Sequence, residues 1–216
     1  EKFFWDEEKG AYIDSFTSGK RNVTRHANIF AILFDIADKQ KQEKILKNVL
    51  ENDEIPAITT PYFNFFELDV LCQMGKLTEV LDKIRSYWGG MLDLGAVTFW
   101  EEYDPSVPKE EQYDMYGDHF GKSLCHAWAA SPIYFLAKYF AGLDLVNKDG
   151  VTYILKPQMQ YFTELDCTLP VGSNGVVRLV WDGEILEITP NADGGILELG
   201  EQKLSLVRGE TRRVKI

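Results

Sequence analysis

The stretch Gly95-Ala96-Val97-Thr98-Phe99-Trp100-Glu101-Glu102-Tyr103-Asp104 sets three carboxylates among three aromatic side chains, outside any strong helical pattern. That combination suits carbohydrate chemistry. Sugar rings present apolar C–H faces that stack on Trp or Tyr, and hydroxyls that hydrogen-bond to charged groups. Cleaving a glycosidic bond needs a carboxylic acid and a second carboxylate, and this segment can supply the second. A second reading stays open from the residues alone: Phe99 and Trp100 as ordinary core, with Glu101, Glu102 and Asp104 as a solvated acidic loop.

Farther along, Ser123-Leu124-Cys125-His126-Ala127-Trp128-Ala129-Ala130-Ser131-Pro132 places a His and a Trp among small residues, at the predicted start of a helix. His126 can hydrogen-bond a sugar hydroxyl, or equally be a buried imidazole satisfied by a backbone carbonyl. His26 and His119 sit in charged or flexible surroundings and are read as structural. The sequence shows no nucleophile elbow, no phosphate-cradling glycine loop and no metal-binding His pair, so neither a metal nor an organic cofactor is expected. Cys72, Cys125 and Cys167 are odd in number and far apart; they are predicted to be buried thiols rather than a disulfide framework.

Composition narrows the partners. With 34 acidic against 23 basic residues the formal charge is −11, which repels a phosphate backbone, so nucleic acid is not expected as a partner. No apolar run approaches the roughly 20 residues of a membrane span, which predicts a soluble chain. The opening Glu-Lys-Phe-Phe-Trp-Asp-Glu-Glu has no initiator Met and no basic leader, and reads as the interior of a larger protein whose compartment it does not reveal.

These residues must be positioned by helices in the first two-thirds of the chain and by strands after it. Ala27, Ile29, Ile32, Leu33 and Ile36 recur at helical spacing behind Thr24, a predicted N-cap, and Ile45 to Leu50 make a shorter stripe that predicts an antiparallel neighbour. Phe63, Phe66, Val70, Leu71 and Met74 form a face ending at Gly75, and Leu77 to Trp88 another ending at Gly89-Gly90. A last helix is predicted from about Ser123 to Tyr139, kinked or restarted at Ser131-Pro132 and stopped by Gly142. From Gly150 onward the pattern becomes strand-like, at 152–155, 176–181, 185–188 and 196–199. Asn174-Gly175 and Asp182-Gly183 are predicted tight turns, and Ala192 to Gly195 a turn between strands. The expected fold is α+β and multidomain: helical hairpins of a partial (α/α)6 toroid over residues 1–147, then a small antiparallel β-sandwich over 148–216.

Taken together, Thr98-Phe99-Trp100-Glu101, Ser123-Leu124-Cys125-His126-Ala127-Trp128 and Ile133-Tyr134-Phe135-Leu136 resemble glycoside hydrolase family 78, the α-L-rhamnosidases. The similarity extends through Tyr12-Ile13-Asp14, Arg25-His26-Ala27-Asn28, Thr60-Pro61-Tyr62-Phe63 and Tyr87-Trp88-Gly89 into the β-region. The order of these short motifs is its specific feature.

The resemblance implies an (α/α)6 barrel followed by a β-sandwich, and an inverting mechanism with one Glu as general acid and another as general base. It implies that Glu101 is the base, that Trp100 and His126 line a rhamnose pocket, and that Glu102 and Tyr62 contribute more weakly. The substrate implied is a rhamnose-containing carbohydrate, and the compartment implied is periplasmic or extracellular. Nothing before Glu101 matches the acid-bearing segment of the family, so the chain is expected to be an inactive C-terminal fragment that lacks an N-terminal partner segment and is prone to self-association. Two alternatives remain: a noncatalytic carbohydrate-binding or scaffolding module, and another (α/α)6 glycosidase or polysaccharide lyase.

Overall fold

The computed structural model describes residues 3–148, 151–173 and 175–215. The chain divides into two compact units, Glu1–Ser131 and Pro132–Ile216. The composition shift expected at Gly150 and the turn residue Asn174 lie outside the described residues.

The first unit is mainly helical. It opens with a short antiparallel ribbon, β1 (Trp5–Asp6) and β2 (Ala11–Tyr12), which the sequence pattern did not signal. Four helical stretches follow: α1 (Arg25–Leu33), α2 (Lys39–Ile45) running on as a π-helical turn over Leu46–Leu50, α3 (Pro61–Gln73), and α4 (Leu77–Lys83) continued by a π-helical turn over Ile84–Trp88. Helix α3 packs against both α1 and α4. The predicted apolar stripes supply much of the core, with Ile29, Ile45, Val49, Val70 and Val80 fully buried; Leu68, outside the predicted stripe, is fully buried too, while Ile36 lies beyond the end of α1 and is exposed.

Several boundaries differ from the sequence expectation for physical reasons. Thr24 occupies the N-cap of α1 but makes no cap bond, because its hydroxyl donates to Asp14 Oδ1 at 2.7 Å. Helix α3 ends at Gly75 as predicted: the Gly75 and Lys76 amides bond back to the Cys72 and Leu71 carbonyls, the paired bonds of a left-handed glycine cap. Gly89-Gly90 does not stop the next helix, which continues as α5 (Gly89–Asp93) to a left-handed Gly95. A Cβ on Gly90 would fall 2.4 Å from the Tyr103 hydroxyl oxygen, so this glycine lets a ring approach the backbone.

The predicted helix over 123–139 is also shortened. Residues Ser123 to His126 are irregular, with bends at Leu124 and Cys125, Ala127–Ala129 form a 3₁₀ turn, and α6 (Ser131–Phe135) begins at the Ser-Pro pair before a π-helical turn over Leu136–Phe140. The helix does not form there because the Glu101 and His126 amides donate to the Ser123 and Phe99 carbonyls, tying this stretch to residues 99–101.

Beneath α1, α3 and α4 lies a buried ion cluster. Arg25 Nη1 and Lys83 Nζ both donate to Glu67 Oε1, at 3.1 and 2.5 Å, and Arg25 also reaches the Leu50 and Asn52 carbonyls. Burial lowers the Lys83 pKa while Glu67 opposes that shift.

Among the described residues the second unit holds eight strands in two four-stranded sheets, ordered β10-β7-β6-β5 and β3-β4-β8-β9. They are β3 (Leu143–Lys148), β4 (Val151–Leu155), β5 (Leu165–Pro170), β6 (Val176–Trp181), β7 (Ile185–Pro190), β8 (Gly195–Leu199), β9 (Gln202–Leu206) and β10 (Arg212–Lys215). Both sheets feed one core, with Tyr153, Leu155 and Leu197 from one and Val177, Leu179, Leu186 and Ile188 from the other. Asp182-Gly183 forms the expected turn, its carboxylate accepting from the Glu184 and Ile185 amides. The pairing is antiparallel except between β4 and β8, which run parallel because the chain builds β5 to β7 in the other sheet before returning.

Candidate active site

Glu101 sits at the end of the loop after α5. The bonds between residues 99–101 and 123–126 hold its backbone, and its side chain turns inward so that only 7% of the residue is exposed. Both carboxylate oxygens are engaged: Tyr116 Oη donates to Oε1 at 3.0 Å and the Ser123 amide donates to Oε2 at 3.0 Å. His126 Nδ1 lies 3.9 Å from Oε2, beyond a hydrogen bond but within ion-pair reach when the ring is protonated. A carboxylate held by two donors and flanked by an imidazole can accept a proton from an attacking water or a sugar hydroxyl.

The other predicted residues take distinct places. Trp100 is 3% exposed and meets Tyr113 edge to face at 5.6 Å, so its ring braces the loop instead of offering an open face. Glu102 Oε1 accepts from the Thr59 hydroxyl at 2.9 Å, tying the same loop to the segment before α3. Tyr62, in the first turn of α3, is 45% exposed and its ring lies 5.3 Å from that of Trp128, itself 45% exposed. Trp128 in turn lies 4.2 Å from the His126 ring, so an aromatic path runs from Tyr62 through Trp128 and His126 towards Glu101.

The bland readings of the other two histidines stand on simple contacts. His26 packs on Phe63 at 4.2 Å, and exposed His119 pairs with Asp114 at 2.5 Å. Of the cysteines, Cys72 is buried, Cys167 is half-buried and Cys125 is exposed, which corrects the expectation of three buried thiols. Pairing of the 123–126 stretch with the 99–101 loop presents the Cys125 side chain to solvent.

Three residues of the site were not among the candidates read from the sequence, although Tyr87 lay within one of the motifs of the resemblance. Tyr116 and Lys122 belong to a hairpin whose Met115 and Asp118 exchange two backbone bonds, with the Lys122 amide donating to the Tyr113 carbonyl at its base. Lys122 is buried, and desolvation pulls its ammonium pKa down against the fields of Glu102, Asp104, Glu101 and Asp114. Tyr87, on the π-helical turn after α4, donates to the Thr59 carbonyl and accepts from the Tyr103 amide at 3.2 Å; burial raises its phenol pKa. Among the described residues no cluster of three or more His, Cys, Asp or Glu side chains forms a metal site, and no helix is long and apolar enough to cross a membrane.

No protein-family model and no curated protein matches this chain. Among solved structures, the glycoside hydrolase family 78 rhamnosidase of Bacillus sp. GL1 aligns with 93% of it, at a TM-score of 0.71 and 25% identity. The chain resembles part of a family 78 rhamnosidase. It spans 22% of the length of that protein. An inferred kojibiose phosphorylase from the human microbiome aligns with 99% of the chain and 30% of its own, at a TM-score of 0.51 and 12% identity, a likeness of fold alone. The family 78 likeness agrees with the motifs around Glu101 and His126, and both alignments run through the helical and the β units.

Proposed function

We propose that this chain is part of an inverting glycoside hydrolase that releases terminal α-L-rhamnose, with Glu101 as the general base. The observation that carries the reading is the buried Glu101 carboxylate, held by Tyr116 and Ser123 beside His126, in a fold similar to a family 78 rhamnosidase. In this reading the helical hairpins belong to an (α/α)6 toroid and the two sheets to a β-sandwich.

Glu101 takes the proton of a water that attacks the anomeric carbon from the face opposite the leaving group. A separate carboxylic acid protonates the departing oxygen, and the two carboxyls stand about 6.5–9.5 Å apart to admit that water. We place that acid outside these 216 residues, consistent with the chain matching only 22% of the rhamnosidase. His126 and Glu102 bind sugar hydroxyls. Tyr62 stacks on an apolar sugar face together with Trp128, while Trp100 supports the pocket from behind.

Hydrolysis of an aryl α-L-rhamnoside by the 216-residue chain, and by a protein extended at its N-terminus through a complete barrel, tests the division of the site. Turnover confined to the extended protein supports it. Turnover by the chain alone means that a proton donor lies within it, and no turnover by either removes the rhamnosidase reading.

A further inference from the structure

The hairpin over residues 113–122 carries a feature that the proposed reaction does not use. At its tip Tyr116 has φ +55° and Gly117 φ +81°, both left-handed, between the paired residues Met115 and Asp118. Two left-handed residues closing a two-residue loop define the type I′ hairpin turn, in which the first position favours Asn, Asp or Gly. A bulky aromatic there is disfavoured, and such strain persists where the surroundings or a function require it. The Tyr116 side chain gains nothing from burial, since the residue is 81% exposed. Its hydroxyl instead donates to Glu101 Oε1 at 3.0 Å.

We propose that Tyr116 is a positioning residue for Glu101: the hairpin tip carries its phenol to Oε1 while the Ser123 amide holds Oε2, fixing the carboxylate in one orientation. The inference rests on reading Glu101 as the base. A proton acceptor that must meet water along one direction is improved by losing rotational freedom. The groups that bear on Glu101 come from two stretches: Tyr116 at the tip and Lys122 at the base of the hairpin, and Ser123 and His126 on the segment that follows. Tyr116 is the one whose hydroxyl can be removed with no change to the backbone. The raised phenol pKa, caused first by its bond to Glu101, agrees with the same contact.

Two substitutions separate the hydroxyl from the strained backbone. Tyr116→Phe keeps the side-chain bulk and the left-handed conformation but removes the donor; Tyr116→Gly removes the donor and relieves the conformation. The rotamer of Glu101 in the 216-residue chain is read by NMR from its three-bond side-chain couplings, with near-ultraviolet circular dichroism as the check on folding. Single-rotamer couplings are expected in the unsubstituted chain and averaged couplings in both variants, with the Gly variant at least as stable as the parent chain. A set of couplings in Tyr116→Phe equal to that of the unsubstituted chain overturns the proposal. So does averaging in the Gly variant alone, which would trace the effect to the loop and not to the phenol. No turnover is needed, so failure here is distinguishable from failure of the rhamnosidase reading.

Discussion

Replacing Glu67 by Ala tests whether the buried ion cluster holds the helices of the first unit together. Glu67 is 2% exposed, and its Oε1 accepts from both Arg25 and Lys83, so the substitution leaves a buried and a half-buried cation facing a void. Breaking a buried ion pair by deleting one partner costs about 3–5 kcal/mol. Two features of the cluster adjust that value. Arg25 keeps its bonds to the Leu50 and Asn52 carbonyls, which holds the loss below the sum of two orphaned charges. Lys83, its pKa already lowered by burial, loses the anion that opposed the shift and can shed its proton. The expected loss is therefore about 3 kcal/mol near neutral pH, with part of it recovered in alkaline solution as Lys83 neutralises. Urea unfolding followed by tryptophan fluorescence reads it, because Trp88 and Trp100 are buried in this unit. A loss below about 1 kcal/mol, the size of an exposed pair, would refute the reasoning.

Other substitutions probe single features. Tyr153 is fully buried and its hydroxyl has no hydrogen-bond partner among the described residues, so Tyr153→Phe should leave the second unit as stable or stabilise it by about 1 kcal/mol in thermal unfolding. Burial, with a smaller effect of Asp193, raises the phenol pKa of Tyr153. A raised folded pKa gives stability that is complete below the unfolded value near 10 and is lost as pH climbs through the folded one, so the Phe variant should lose less stability in alkali. Gly90→Ala would drive a methyl group against Tyr103, and a loss of about 1–3 kcal/mol is expected from urea titration. Exposed Cys125 should react with a thiol reagent in the native state well before buried Cys72, and equal rates would contradict the placement of the 123–126 stretch.

Much of the helical order was legible because burial repeats with the helical period, as at Ile29 and Ile32, and because Gly75 takes the left-handed cap its position announces. Where a residue serves a distant partner, local pattern misleads. Gly90 makes room for Tyr103, which comes later in the chain, and Ser123 to His126 is not helical because it bonds to the 99–101 loop. The carboxylate and aromatic cluster stood out in the sequence, but the buried bracing role of Trp100 and the open face of Trp128 depend on which way each ring turns. Tyr116 gave no sign, since Tyr is a poor residue for its turn and its reason for being there is a bond to Glu101.

The most direct test of the account is the anomeric outcome and rate of aryl α-L-rhamnoside hydrolysis in the N-terminally extended protein, compared with its Glu101→Gln variant by proton NMR. The account predicts inverted rhamnose as the first product and a fall in kcat of about 10²–10⁴-fold in the variant, since a positioned general base is lost while its shape is kept. Retained configuration, or turnover by Glu101→Gln at the unsubstituted rate, would contradict the assignment of Glu101 as the base.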